Sequence, residues 1–183
     1  MRNILVLIFL ASFMLCPLKS YAAKEDASLD ARLKLAKNVN AIEDIKEEFG
    51  KVLPSYIYYS PEDNQYVYKI PEVEYFAAMH ALGIIETAGE AIFGALHMYA
   101  LQTTQTSTSP EARGIIVYFY DHAISVVGNS QDRLTVYLGN KGIEDPQLKS
   151  LVTKATDALL QSKYALQEIQ NDIKRQPYIY PKD

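Results

Sequence analysis

The stretch that most constrains the fold is 72–101, EVEYFAAMHALGIIETAGEAIFGALHMYAL, a mostly apolar run without a proline. On a helical wheel Ala77, Ala81, Ile84, Ala88, Ala91, Ala95 and Met98 fall along one seam through alternating steps of four and three. Small residues on such a seam let a neighbouring backbone approach closely, while Leu82, Ile85, Phe93 and Leu96 add bulk on the adjoining face. A helix this apolar needs partners to cover it, so the stretch reads as the central helix of a bundle. Pro71 stands as its first helical residue, with Glu72 and Glu74 in the opening turn, where the helix dipole favours anions.

The partner helices are legible on either side. Between 28 and 49, Leu29, Leu33, Ala36, Val39, Ile42, Ile45 and Phe49 recur at steps of three and four, and Gly50 supplies a left-handed stop. Ser109, Pro110 and Glu111 start a third helix after the polar connector 103–109, and it ends near 139–142. Its segment 114–120, GIIVYFY, has the composition of a strand, but the cap before it and Ile124, Val127, Leu134 and Leu138 after it favour helix. Asp145 and Pro146 cap a fourth helix. There Leu148, Leu151, Ala155, Leu159, Ser162, Leu166, Ile169 and Ile173 form a near-heptad seam that runs out at Lys174, Arg175 and Pro177. Helices of about 22 to 32 residues, roughly 33 to 48 Å long, can lie side by side. The expected fold is all-α, an antiparallel up-down four-helix bundle.

Between the first two helices lies 53–71, LPSYIYYSPEDNQYVYKIP, with Tyr56, Tyr58, Tyr59, Tyr66 and Tyr68. Two β-prone runs flank the turn-forming 60–64, so the connection is a tyrosine-rich loop or a β-hairpin. The segment 177–181, PYIYP, echoes SYIYY at 55–59; laid beside it, Tyr178 and Tyr180 would join the same bundle end. Tyrosine combines a large rigid ring with a hydrogen-bonding tip, so these seven residues form either a binding patch or a lid over the core.

The first residues address the chain to export. Arg2, the apolar run 4–15 and the small residues Ser20 and Ala22 read as a secretory signal peptide over 1–22, leaving 23–183 as a single domain. Pro17 ends the run short of the roughly 20 apolar residues that span a bilayer. The expected location is periplasmic or secreted. Cys16 lies inside the signal and lacks the small preceding residue of a lipidation site, so the 161 residues left when 22 are removed from 183 carry no thiol. Arg2 and Lys19 leave with the signal, taking the formal charge from −4 to −6. With no tract of Lys or Arg, that argues against nucleic acid or anionic lipid as partner. Glu86 and Glu90 interrupt the apolar stretch where a spanning helix tolerates charge least, which argues against stable membrane insertion after cleavage.

Few residues suggest chemistry. Glu86, Glu90 and His97 fall close together on the wheel, and His122 follows on the third helix, a set that could hold a transition metal in a bundle core. Haem is the related alternative, through His97 or His122 with Met79 or Met98. Against both, there is no Glu-x-x-His or His-x-x-x-His spacing, and Glu86 and His97 stand roughly 16 Å apart along a helix, too far to share one ion. A solvated face accounts for the same pattern. No Gly-x-Ser-x-Gly, activated nucleophile or phosphate-binding glycine loop is present, so the chain is not expected to be an enzyme. The expected function is binding, with a protein partner in the cell envelope, in an accessory, inhibitor-like or immunity-like role. The alternative is a metal- or cofactor-binding bundle built on Glu86, Glu90, His97 and His122.

Overall fold

The computed structural model describes residues 27–104, 110–139 and 142–175; the segment 1–22, read above as a signal peptide, lies outside them. Four helices run in order: α1 (Ala27–Val52), α2 (Glu72–Thr104), α3 (Pro110–Gly139) and α4 (Pro146–Arg175). A short 3-10 turn (Leu53–Tyr56) leads from α1 into a hairpin of β1 (Ile57–Ser60) and β2 (Gln65–Tyr68). Cross-helix pairs fix the alternating directions. Arg32 meets Tyr99, Glu48 meets Lys154, His80 meets Tyr137, and Gln170 meets Asp121. The architecture is the expected all-α, up-down four-helix bundle, with a hairpin between the first two helices.

The most enclosed helix is α4 rather than α2. All eight residues of the α4 seam, from Leu148 to Ile173, are buried, and the helix lies between α1 and α3. By contrast, α2 leans chiefly on α3 and touches α1 less. Its buried line is Glu74, Ala78, Ala81, Ile85, Ala88, Ile92, Ala95 and Tyr99, while Ala77, Ala91 and Met98 are only half-buried. The expected seam is thus right at Ala81, Ile84, Ala88 and Ala95 but centred one residue to the side. Where α2 faces α1, a Cβ at Gly89 would stand 3.4 Å from the Ile42 side chain, an ordinary contact.

Two local expectations for α1 are corrected. Gly50 does not stop the helix, for no described glycine has a positive φ; α1 continues to Val52, and Pro54 then turns it into the 3-10 segment. Leu29 and Leu33 face outward at 47% and 46% exposure, and Ala31 and Leu35 are buried instead. Consecutive steps of three drift around a helix by about 60° each. The alternating steps through Ala31, Leu35, Asn38, Ile42, Ile45, Phe49 and Val52 hold one line. The strand-like 114–120 is helical, with Ile116 and Tyr120 turned inward.

In the hairpin, Ile57 pairs with Tyr68, Tyr58 with Val67, Tyr59 with Tyr66 and Ser60 with Gln65. Asn64 takes the left-handed turn position (φ 53°), which its short polar side chain tolerates. The tight α3–α4 connection closes through Ile143 N–H donating to Tyr137 O, 3.2 Å away. A Cβ on Gly142 would stand 3.1 Å from that same carbonyl oxygen and 3.2 Å from Tyr137 Cα, so a side chain there would press on the end of α3.

The Tyr120 side chain is fully buried, and among the described residues its hydroxyl has no hydrogen-bond partner. Removing an unsatisfied buried hydroxyl while keeping the ring should stabilise the fold by about 1 kcal/mol. Urea denaturation of Tyr120→Phe is expected to show a higher midpoint at unchanged slope; a lower midpoint would mean that the hydroxyl is satisfied.

Candidate functional site

The hairpin is held against the bundle by one carboxylate network. Glu74, in the first turn of α2 and 6% exposed, accepts the backbone N–H of Glu144 (2.7 Å) and of Asp145. Asp145 in turn caps α4, its Oδ1 accepting the N–H groups of Gln147 (2.9 Å) and Leu148 (3.0 Å). The same Oδ1 accepts the Tyr56 hydroxyl at 2.7 Å. The start of α2, the α3–α4 loop and the base of the hairpin therefore share one hydrogen-bonded node. Burial, the hydrogen bond to Asp145, and the charges of Asp145 and Glu74 push the Tyr56 phenol up to about 12.

Above this node aromatic side chains gather in two contacting groups, one on the hairpin and one where the hairpin meets α2. Residues directly opposed in a hairpin share a face, so Ile57, Tyr59, Tyr66 and Tyr68 lie on one side and Tyr58 and Val67 on the other. Tyr59 and Tyr66 meet edge to face at 5.6 Å between centroids. Tyr68 packs on Tyr75 (5.1 Å) and Phe76 (6.1 Å) of α2. Tyr58, Tyr59, Tyr66, Val73 and Phe76 are all at least about half exposed, with Tyr66 at 65% and Val73 at 76%. Acidic Glu62, Asp63, Glu72 and Glu144 border the surface, with Lys69 the cation within the hairpin segment.

The seven tyrosines expected to form one patch are thus divided. Tyr58, Tyr59 and Tyr66 are displayed, Tyr68 is half-buried against α2, and Tyr56 is part of the node that holds the hairpin in place. Tyr178 and Tyr180 lie outside the described residues. They follow Arg175, which ends α4 at the pole opposite the hairpin, about 45 Å away for a helix of 30 residues. The five residues from Arg175 to Tyr180 reach at most roughly 18 Å.

The polar stripe of α2 faces outward: Glu86, Glu90 and His97 are exposed, as is His122 on α3. Among the described residues no three His, Cys, Asp or Glu side chains come together as a metal site. A polar contact that sequence reasoning missed straps α2 to α3. Arg133 Nη2 lies 3.0 Å from His80 Nε2, and Nδ1 of the same ring meets the Tyr137 hydroxyl. A guanidinium only donates, so Nε2 accepts and the proton sits on Nδ1, directed at the tyrosine oxygen. The groove between α1 and α4, lined by Asp44, Glu48, Lys154 and Asp157, is open to solvent.

Sequence reasoning also missed Glu74 as a buried ligand for backbone amides. Its signal was present: Glu74 sits seven residues before Ala81, on the extension of the buried line. No protein family, curated protein or solved structure matches the chain.

Tyr56 has a folded-state pKa above its ordinary value of 10, so its contribution to stability is complete below pH 10 and disappears as pH rises to about 12. The stability difference between wild type and Tyr56→Phe, followed by denaturant melts, should stay level to pH 10 and shrink from there to pH 12. A difference that persists unchanged through pH 12 would rule out the Tyr56–Asp145 bond. Glu74→Ala removes the acceptor of two part-buried N–H groups and should cost about 2 kcal/mol in the same melts; a change near zero would show that the amides find other partners.

Proposed function

We propose that the protein acts by binding a protein partner of the cell envelope through the aromatic surface at its hairpin end, in an accessory, inhibitor-like or immunity-like role after export. The observation that carries this reading is the pair of displayed rings Tyr59 and Tyr66, together with exposed Phe76 packed on half-buried Tyr68, held in place by the Glu74–Asp145–Tyr56 node. Tyrosines lose little conformational freedom on binding, and rings already packed on one another lose less still. Their hydroxyl tips keep such a surface wetted when it is empty. The acidic border favours a partner that is basic around an apolar centre.

A protein surface suits this site better than lipid. The segment Glu72–Tyr99 has mean hydropathy 1.2 and the length of a membrane span, yet Glu86 and Glu90 are exposed in the middle of its outward face. Burying two carboxylates in hydrocarbon would cost several kcal/mol.

A photo-crosslinking amino acid placed at Tyr66 in exporting cells is expected to give discrete adducts with an envelope protein. The same probe at Tyr164, exposed on α4, should give none. Tyr59→Ser with Tyr66→Ser should lower adduct yield from a probe at Phe76 by about tenfold, the scale of an interface anchor, with an unchanged melting temperature. Equal adducts from Tyr66 and Tyr164, or no effect of the double substitution, would refute the assignment.

A further inference from the structure

We propose that the segment 177–181 of one copy adds as a third strand to the hairpin of a second copy. The inference rests on the hairpin end being a docking surface, as proposed above, and names an occupant for its backbone edge.

The edge is defined by the register. Lys69 N–H donates to Tyr56 O at 2.8 Å, which makes 56/69 a hydrogen-bonded pair and, by alternation, 58/67 and 60/65 as well. The pairs 57/68 and 59/66 are then the non-bonded ones. Their N–H and C=O groups point away from the partner strand, Ile57 and Tyr59 on one edge and Tyr66 and Tyr68 on the other. An added strand must place its own inward-facing residues opposite one of those two pairs.

The segment PYIYP meets that requirement through its prolines. In an extended strand alternate residues direct their backbone groups to opposite sides. If Tyr178 and Tyr180 bond to the hairpin, Pro177, Ile179 and Pro181 all face outward. Both prolines then fall where no ladder donor is needed, and the new outer edge is blocked against a further strand. The opposite register would direct two residues without N–H groups at the hairpin. In the favoured register, directly opposed residues share a face, so Tyr178 and Tyr180 join the side already carrying Tyr59, Tyr66 and Tyr68.

Position and charge identify the donor as a second copy. Arg175 ends α4 at the pole away from the hairpin, about 45 Å along a helix of 30 residues, and the five residues on to Tyr180 span at most roughly 18 Å, so a chain falls short of its own edge. The donor carries Lys174, Arg175 and Lys182 against Asp183, and the acceptor end carries exposed Glu62, Asp63, Glu72 and Glu144. Such a contact is head-to-tail: it joins two different surfaces and extends with concentration.

Light scattering of the exported protein from about 10 μM to about 1 mM should show mass rising with concentration, and the same chain stopped after Arg175 should stay monomeric. A peptide of residues 174–183, KRQPYIYPKD, titrated to about 1 mM onto isotopically labelled truncated chain, should shift the amides of Ile57 and Tyr59 or of Tyr66 and Tyr68. N-methylation at Tyr178 or Tyr180 should weaken binding by about tenfold, the loss of one ladder bond, and N-methylation at Ile179 should leave it nearly intact. Self-association that survives truncation, peptide shifts outside the hairpin, or greater damage from Ile179 than from Tyr180 methylation would overturn the inference. If the truncated chain takes up no peptide but still gives envelope adducts from Tyr66, this inference fails and the partner reading stands. If it takes up the peptide and gives no other adduct, the reverse holds.

Discussion

The buried carboxylate of Glu74 is the interaction on which the hairpin end depends. A two-stranded ribbon of four residue pairs is at best marginally stable in water, and here nothing on its exposed face supplies a core. Glu74 ties the start of α2 to the α3–α4 loop, and Asp145 passes that tie on to Tyr56 at the ribbon's base. Leu53 and Val52, buried just before the ribbon, anchor its approach. The ribbon is thus positioned by polar bonds with defined directions as well as by apolar contact, and its orientation relative to α2 is set. Tyr68 can then stack on Tyr75 and Phe76.

How the rest of the bundle closes follows from the contrast between α2 and α4. In α4 apolar and polar residues are cleanly separated, so every position of its seam could be read from spacing, and every one is buried. In α2 apolar residues surround the axis. Periodicity then locates a helix without fixing its rotation, and the seam read from sequence was displaced toward Ala77 and Met98 when the core took Ala78 and Tyr99. The same ambiguity hid Val73 and Phe76, which a helix assumed to be central would bury and which the fold leaves exposed. At the N-terminus of α1 the error had another source: Leu29 and Leu33 are as apolar as Ala31 and Leu35, and only their steps to later turns distinguish them.

The tyrosine cluster was legible because composition and turn residues mark a hairpin without reference to anything distant. What the hairpin rests on was not, because Glu74 and Asp145 are 71 residues apart and each has an ordinary local explanation, one as a first-turn acid and the other as a helix cap. Both explanations are correct as far as they go; Asp145 does cap α4. A sequence displays the local role of such residues and conceals the second, because the second exists only once the helices have been brought together. The outward stripe of Glu86, Glu90 and His97 is the converse case. Its alignment on a wheel fits a solvated face as well as a shared site, and the helix turns it to solvent.

An exposed aromatic edge carries a risk as well as an opportunity, since unpaired strand edges recruit other strands. Three features limit that risk here. The strands are only four residues long, the turn carries Glu62 and Asp63, and the exposed rings are tyrosines with polar tips, the Tyr59 hydroxyl donating to Asn64 Oδ1 at 2.5 Å. None of these removes the outward-facing amides of Ile57, Tyr59, Tyr66 and Tyr68. Short strands offer too few backbone bonds to hold a ligand by the ladder alone, so any strand that pairs here must also satisfy the aromatic face and the acidic rim. Selectivity at this edge therefore comes from side chains, and the backbone contributes register.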